Sequence, residues 1–126
     1  MKISMTTNDW LDLLRENAAA LRANGPWTYA VFDYPGVDPW QSPSIRNAAG
    51  QCPLCALATV VKPSITRTIT WVWALQEAFG DLPGPDKGGA GKIADAADRP
   101  FGAGSEAERV EHDALRLALI DLLGVK

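Results

Sequence analysis

The chain has 126 residues, 47% of them hydrophobic and 21% charged, which is the composition of one globular domain rather than of a disordered segment. Twelve Lys and Arg against fifteen Asp and Glu leave a net charge of −3, which speaks against a nucleic-acid partner, whose phosphates are met by clustered bases. The longest apolar run, Pro53 to Val61, falls far short of the ~20 residues of a bilayer-spanning helix; Met1 to Asp9 turns polar too early for a signal peptide; and two cysteines make no disulfide framework, so a cytoplasmic protein without a membrane partner is expected.

In residues 8–24, Leu11, Leu14, Ala18 and Leu21 recur at the spacing of one helical face. Thr7 or Asn8 can cap the start, and Gly25-Pro26 supplies a left-handed stop followed by a breaker, so one helix over 8–24 is predicted. Residues 27–51 differ in kind. Pro35, Pro39 and Pro43 exclude a continuous helix or a central strand, and an irregular segment is expected, with a short extended piece from Thr28 to Asp33 and a turn at Tyr34-Pro35-Gly36-Val37. Five of the ten aromatics, Trp27, Tyr29, Phe32, Tyr34 and Trp40, fall within residues 27–40, where the only charges are Asp33 and Asp38.

Pro53 suits the first position of a helix, and Leu54 to Val61 has no polar face, which predicts a short buried helix. Residues 65–79 carry two periods at once. Ile65, Ile69, Val72 and Trp73 fit a helix, and Ala74 to Phe79 is a strong helical sequence ending in Gly80; Thr66, Thr68 and Thr70 alternate with larger residues as a strand would. Helix is the favoured reading and the strand stays open. Residues 80–91 hold five Gly and two Pro and are expected to be a flexible exposed loop, followed by a short helix from Lys92 to Asp98. Ser105-Glu106-Ala107-Glu108 reads as a reciprocal capping box opening a helix over 105–123, with Leu115, Ala118, Leu119 and Leu122 as its buried stripe. Residues 93–126 carry seven acids and four bases, so this last third holds the whole net charge. A mainly α single domain over residues 1–126, of four or five helices with an irregular aromatic and Pro-rich segment and room for one short strand pair, is the architecture these patterns predict.

Cys52-Pro53-Leu54-Cys55 admits three kinds of chemistry. Thiols at the N-cap and third position of a helix sit among free backbone N–H groups at the positive end of the helix dipole, which favours the thiolate and disulfide exchange. The spacing resembles the active site of glutaredoxins and thioredoxin-like proteins, in which a Pro also follows the nucleophilic Cys. It departs from them in that Arg46 to Gln51, rather than a buried strand, precedes the motif and no Val-Pro loop follows. Two thiolates are also half of a tetrahedral zinc site, but the only histidine, His112, lies 57 positions on, and an acid such as Asp113 or a second chain would have to complete the set. The third reading is packing: small soft side chains at a tight helix start. It outweighs the other two, so no cofactor is expected. Asp95 and Asp98 share a helix face, a weak cation signal, and the Gly-rich stretch lacks the Gly-Lys-Ser/Thr ending of a phosphate loop.

Cys-Pro-Leu-Cys-Ala-Leu-Ala (52–58) together with Ile-Ala-Asp-Ala-Ala-Asp (93–98) resembles a pattern in small uncharacterised bacterial and phage helical proteins, and the resemblance implies an accessory or mobile-element protein with no assigned activity. Aromatic density without a complete catalytic set points the same way. The expected function is non-enzymatic protein binding, as an adaptor or an inhibitor acting for instance on a host defence complex. Docking would use Trp27, Tyr34 and Trp40 or the acidic C-terminal helix. A dithiol or zinc protein built on Cys52, Cys55 and His112, and a subunit of a larger assembly, are the alternatives.

Overall fold

The computed structural model describes residues 5–30, 44–63, 71–79, 89–99 and 104–126. Its elements are α1 (Thr7–Glu16), α2 (Ala18–Ala23), β1 (Thr28–Ala30), β2 (Ser44–Arg46), α3 (Pro53–Val61), α4 (Trp71–Phe79), α5 (Gly89–Asp98) and α6 (Glu106–Leu123). The protein is therefore mainly helical with one short antiparallel strand pair, as the patterns predicted, with six helices among the described residues instead of four or five.

The extra helix comes from a break at Asn17. The anticipated face is correct, with Leu11, Leu14, Ala18 and Leu21 all buried, but Asn17 leaves helical geometry at φ −106°, ψ 11°. Its side-chain Nδ2 donates to the Leu13 carbonyl at 2.8 Å, alongside its own backbone N–H at 3.2 Å, so a local side-chain bond competes with the helical ladder. The start of α1 is one residue earlier than expected. Thr6 is the N-cap of a reciprocal box: its backbone N–H donates to the Asp9 carboxylate at 2.8 Å, and the Asp9 N–H donates to the Thr6 hydroxyl at 3.2 Å. Gly25 is not the left-handed stop either. It has an ordinary negative φ, and its glycine identity answers a steric need, since a Cβ there would lie 2.9 Å from the Arg22 carbonyl oxygen.

β1 and β2 pair in register Thr28–Arg46, Tyr29–Ile45 and Ala30–Ser44. The expected extended piece is thus a strand over its first three residues, and Val31 to Asp33 lie outside the described residues, as do the turn at Tyr34 to Val37 and residues 64–70, where the Thr alternation raised the strand alternative. Trp71 to Phe79 is helical. Residues 80–88 of the expected loop are likewise outside the description, while Gly89, Ala90 and Gly91 belong to α5, which begins three residues before the predicted Lys92. Gly89 explains why the Gly-rich sequence can be helical there. It is buried where α5 meets the first turn of α1, and a Cβ would overlap the backbone of Thr6 and Thr7.

α5 organises the packing: it lies against α1, α3, α6 and β2, while α3 packs on α4 and α2, and α2 on α6. One cluster of buried side chains draws on every helix, including Leu14, Leu21, Leu54, Leu57, Leu75, Ile93 and Leu119, each 0% exposed. Gly124 ends α6 in the left-handed conformation at φ 66°, and the Lys126 N–H then donates to the Trp27 carbonyl at 3.2 Å, tying the C-terminus to the start of β1. No helix among the described residues is long and apolar enough to cross a membrane.

Candidate functional site

The residues singled out in the sequence are distributed unequally. Tyr34 and Trp40 lie outside the described residues. Trp27, expected at a docking surface, is instead buried in the core: it is 2% exposed, and its indole N–H donates to the Leu21 carbonyl at 2.8 Å. His112 is half-buried on α6, and its Nδ1 has no hydrogen-bond partner among the described residues. Nothing brings it to the cysteines, and among the described residues no group of three His, Cys, Asp or Glu side chains is placed to hold a metal ion.

Cys52 and Cys55 do come together. Cys52 is the N-cap of α3 with extended backbone at φ −69°, ψ 166°, Pro53 follows at the head of the helix, and the Cys52 and Cys55 sulfurs are hydrogen-bonded at 3.3 Å. The approach to this helix start is built by the turn after β2. Asn47, 6% exposed, accepts through Oδ1 from the backbone N–H groups of Ala49 (3.1 Å) and Gln51 (2.8 Å), and its Nδ2 donates to the Gln51 side-chain oxygen at 3.0 Å. Gln51 then donates to the Thr59 hydroxyl at 3.1 Å, which donates to the Cys55 carbonyl at 3.0 Å. This chain of bonds pins the turn to α3 across both cysteines. The three-residue strand β2 ends at Arg46, and the turn of residues 47–51 separates it from the motif.

Charge arranges itself around the pair. Arg46 donates to Asp98 at 2.7 Å, with its side chain only 12% exposed, and its Nε donates to the Ser44 hydroxyl at 3.2 Å. Asp98, read in the sequence as half of a cation site with Asp95, is thereby an ion-pair partner, and burial outweighs Arg46 to push its carboxyl up from the ordinary value. The Cys52 thiol is lowered to about 7, the hydrogen bond with Cys55 outweighing burial and Arg46 adding in the same direction; Cys55 is raised, first by the same hydrogen bond and then by burial. The two sulfurs thus share one proton across the 3.3 Å hydrogen bond.

A second feature lies on α6. Its inner side carries Leu115, Leu119 and Leu123, together with Arg116, 3% exposed, whose guanidinium sits 5.2 Å from the centre of the Tyr29 ring and joins α6 to β1. The expected capping box is only half made: Ser105 accepts from the Glu108 N–H at 3.4 Å, while the Glu108 carboxylate turns to Arg99 at 3.3 Å. On the outer side Val110 and Leu117, one heptad apart, are 64% and 58% exposed, with exposed Ala114 between them and exposed Ala107 before them on the same side, and Glu106 and Asp121 at its ends. This stripe was not among the expected sites; its signal in the sequence is the i, i+7 spacing of Val110 and Leu117 on the side away from Leu115 and Leu119.

The chain matches no family model, and no curated protein and no solved structure is similar to it.

Proposed function

We propose that the protein is a non-enzymatic binding protein, an adaptor or inhibitor that docks on a protein partner through the outer face of α6. The observation that carries this reading is the pair Val110 and Leu117, two large apolar side chains at 64% and 58% exposure on one side of the longest helix. A single exposed apolar side chain needs no explanation, but Val110 and Leu117 at heptad spacing, with Ala114 between them and Ala107 before them, form a stripe that a partner helix can lie along. The acids at its ends, Glu106 and Asp121, complement basic residues flanking the apolar stripe of such a helix and oppose self-association through the same face.

The test is capture with the full chain immobilised, set beside the double substitution Val110→Ser and Leu117→Ser, with circular dichroism confirming that the variant is folded. The expected result is one stoichiometric partner retained by the native chain and lost by the variant. Retention of the same partner by the folded variant overturns the reading, and a shift from dimer to monomer in light scattering reassigns the face to a second copy of the chain.

A further inference from the structure

The docking reading leaves unused the most constructed polar feature of the molecule, the two thiols at the start of α3. A disulfide needs two sulfurs at about 2.05 Å with a defined torsion. The Cys52 and Cys55 sulfurs are 3.3 Å apart within the first turn of one helix, so closing the bond needs movement of little more than about 1 Å in two side chains. The turn Asn47 to Gln51 holds the helix start from one side through its bonds to Thr59 and thence to the Cys55 carbonyl.

We propose that Cys52 and Cys55 form a reversible dithiol–disulfide couple that exchanges with a low-molecular-weight disulfide. Access makes Cys55 the first attacker: Cys52 is 5% exposed, whereas Cys55 is only half-buried. In the reacting monoanion the shared proton sits on Cys52, whose sulfur donates to that of Cys55 at 3.3 Å. The Cys55 thiolate attacks one sulfur of the disulfide RSSR, forming a mixed disulfide and releasing RS⁻, which takes the proton from Cys52 and departs as RSH. The Cys52 thiolate then attacks the Cys55 sulfur, forms the internal disulfide and expels the second RS⁻. Two electrons leave the cysteine pair and reduce RSSR to two thiol equivalents, with charge conserved at every step.

The test equilibrates the full chain with glutathione and glutathione disulfide across reducing to oxidising ratios, then alkylates under denaturing conditions and weighs the protein. The native chain is expected to lose both free thiols together, as a monomer without a stable glutathione adduct, and to regain both on reduction. Cys52→Ser is expected to accumulate a glutathione adduct on Cys55, and Cys55→Ser to form one more slowly. The inference is overturned if both thiols stay free in the most oxidising mixture, or if the native chain ends as an adduct or a disulfide-linked dimer. Because the native chain alone decides between these outcomes, a variant that fails to fold does not rescue the proposal.

Discussion

At Cys52 the folded chain holds a thiol at about 7, below its ordinary 9.0, while the neighbouring Cys55 is held above that value. These opposite displacements make stability depend on pH with a change of sign. Between about pH 7 and 9 the unfolded chain keeps the Cys52 proton that the folded chain has released, so it binds more protons and stability rises with pH. Above about pH 9 the unfolded chain also ionises Cys55, which the folded chain keeps protonated, and stability falls. Denaturant midpoints measured from pH 6 to 10 under reducing conditions should therefore pass through a maximum near pH 9. Replacing both cysteines by serine should flatten the curve; a native curve without that maximum would mean that the two sulfurs do not share a proton in the folded state. Little of this was legible in the sequence. Cys-Pro-Leu-Cys placed both thiols at a helix start, and the structure agrees, but the partners that tune them, Arg46 and Asp98, reach the site from β2 and from α5, 52 residues apart.

At the level of elements, what the sequence concealed was set by close approach rather than by periodicity. The buried stripe of residues 11–21 was plain from spacing, yet the helix break is made by one amide, Asn17, bonding to the Leu13 carbonyl. Trp27 stood out as a binding residue because aromatics are conspicuous in a Pro-rich context, whereas its fate depended on an indole N–H finding the Leu21 carbonyl inside the fold. Gly89 is the sharpest case. A run of Gly and Pro reads as loop, and nothing local says that one of those glycines lets α5 touch the backbone of Thr6 and Thr7. Gly89→Ala raises intrinsic helix propensity by about 1 kcal/mol but drives a methyl group into that backbone. The overlap is with backbone atoms, so overpacking dominates and a net destabilisation is expected in urea unfolding. A gain in stability would show that α5 and α1 do not meet at this point.

For the whole molecule, α5 is the element against which the others assemble, and its buried Ala90, Ala96 and Ala97 let α1, α3 and α6 approach it closely. α6 then has two unlike sides. Its inner side closes the core with Leu119 at 0% exposure, while its outer side leaves Leu117 at 58%. Two leucines two residues apart on one helix thus carry separate tasks, stability and recognition, and the same truncation separates them. Leu119→Ala removes packed methyls from the shared core and should cost about 2–5 kcal/mol, read as a lower denaturation midpoint with an unchanged slope. Leu117→Ala removes methyls that already face water, so its effect on the midpoint should stay within about 0.5 kcal/mol. If Leu117→Ala destabilised as much as Leu119→Ala, the outer side of α6 would be part of the core and unavailable to a partner. If it left stability unchanged while abolishing capture of the partner, the stripe would act through binding alone, as a docking face requires.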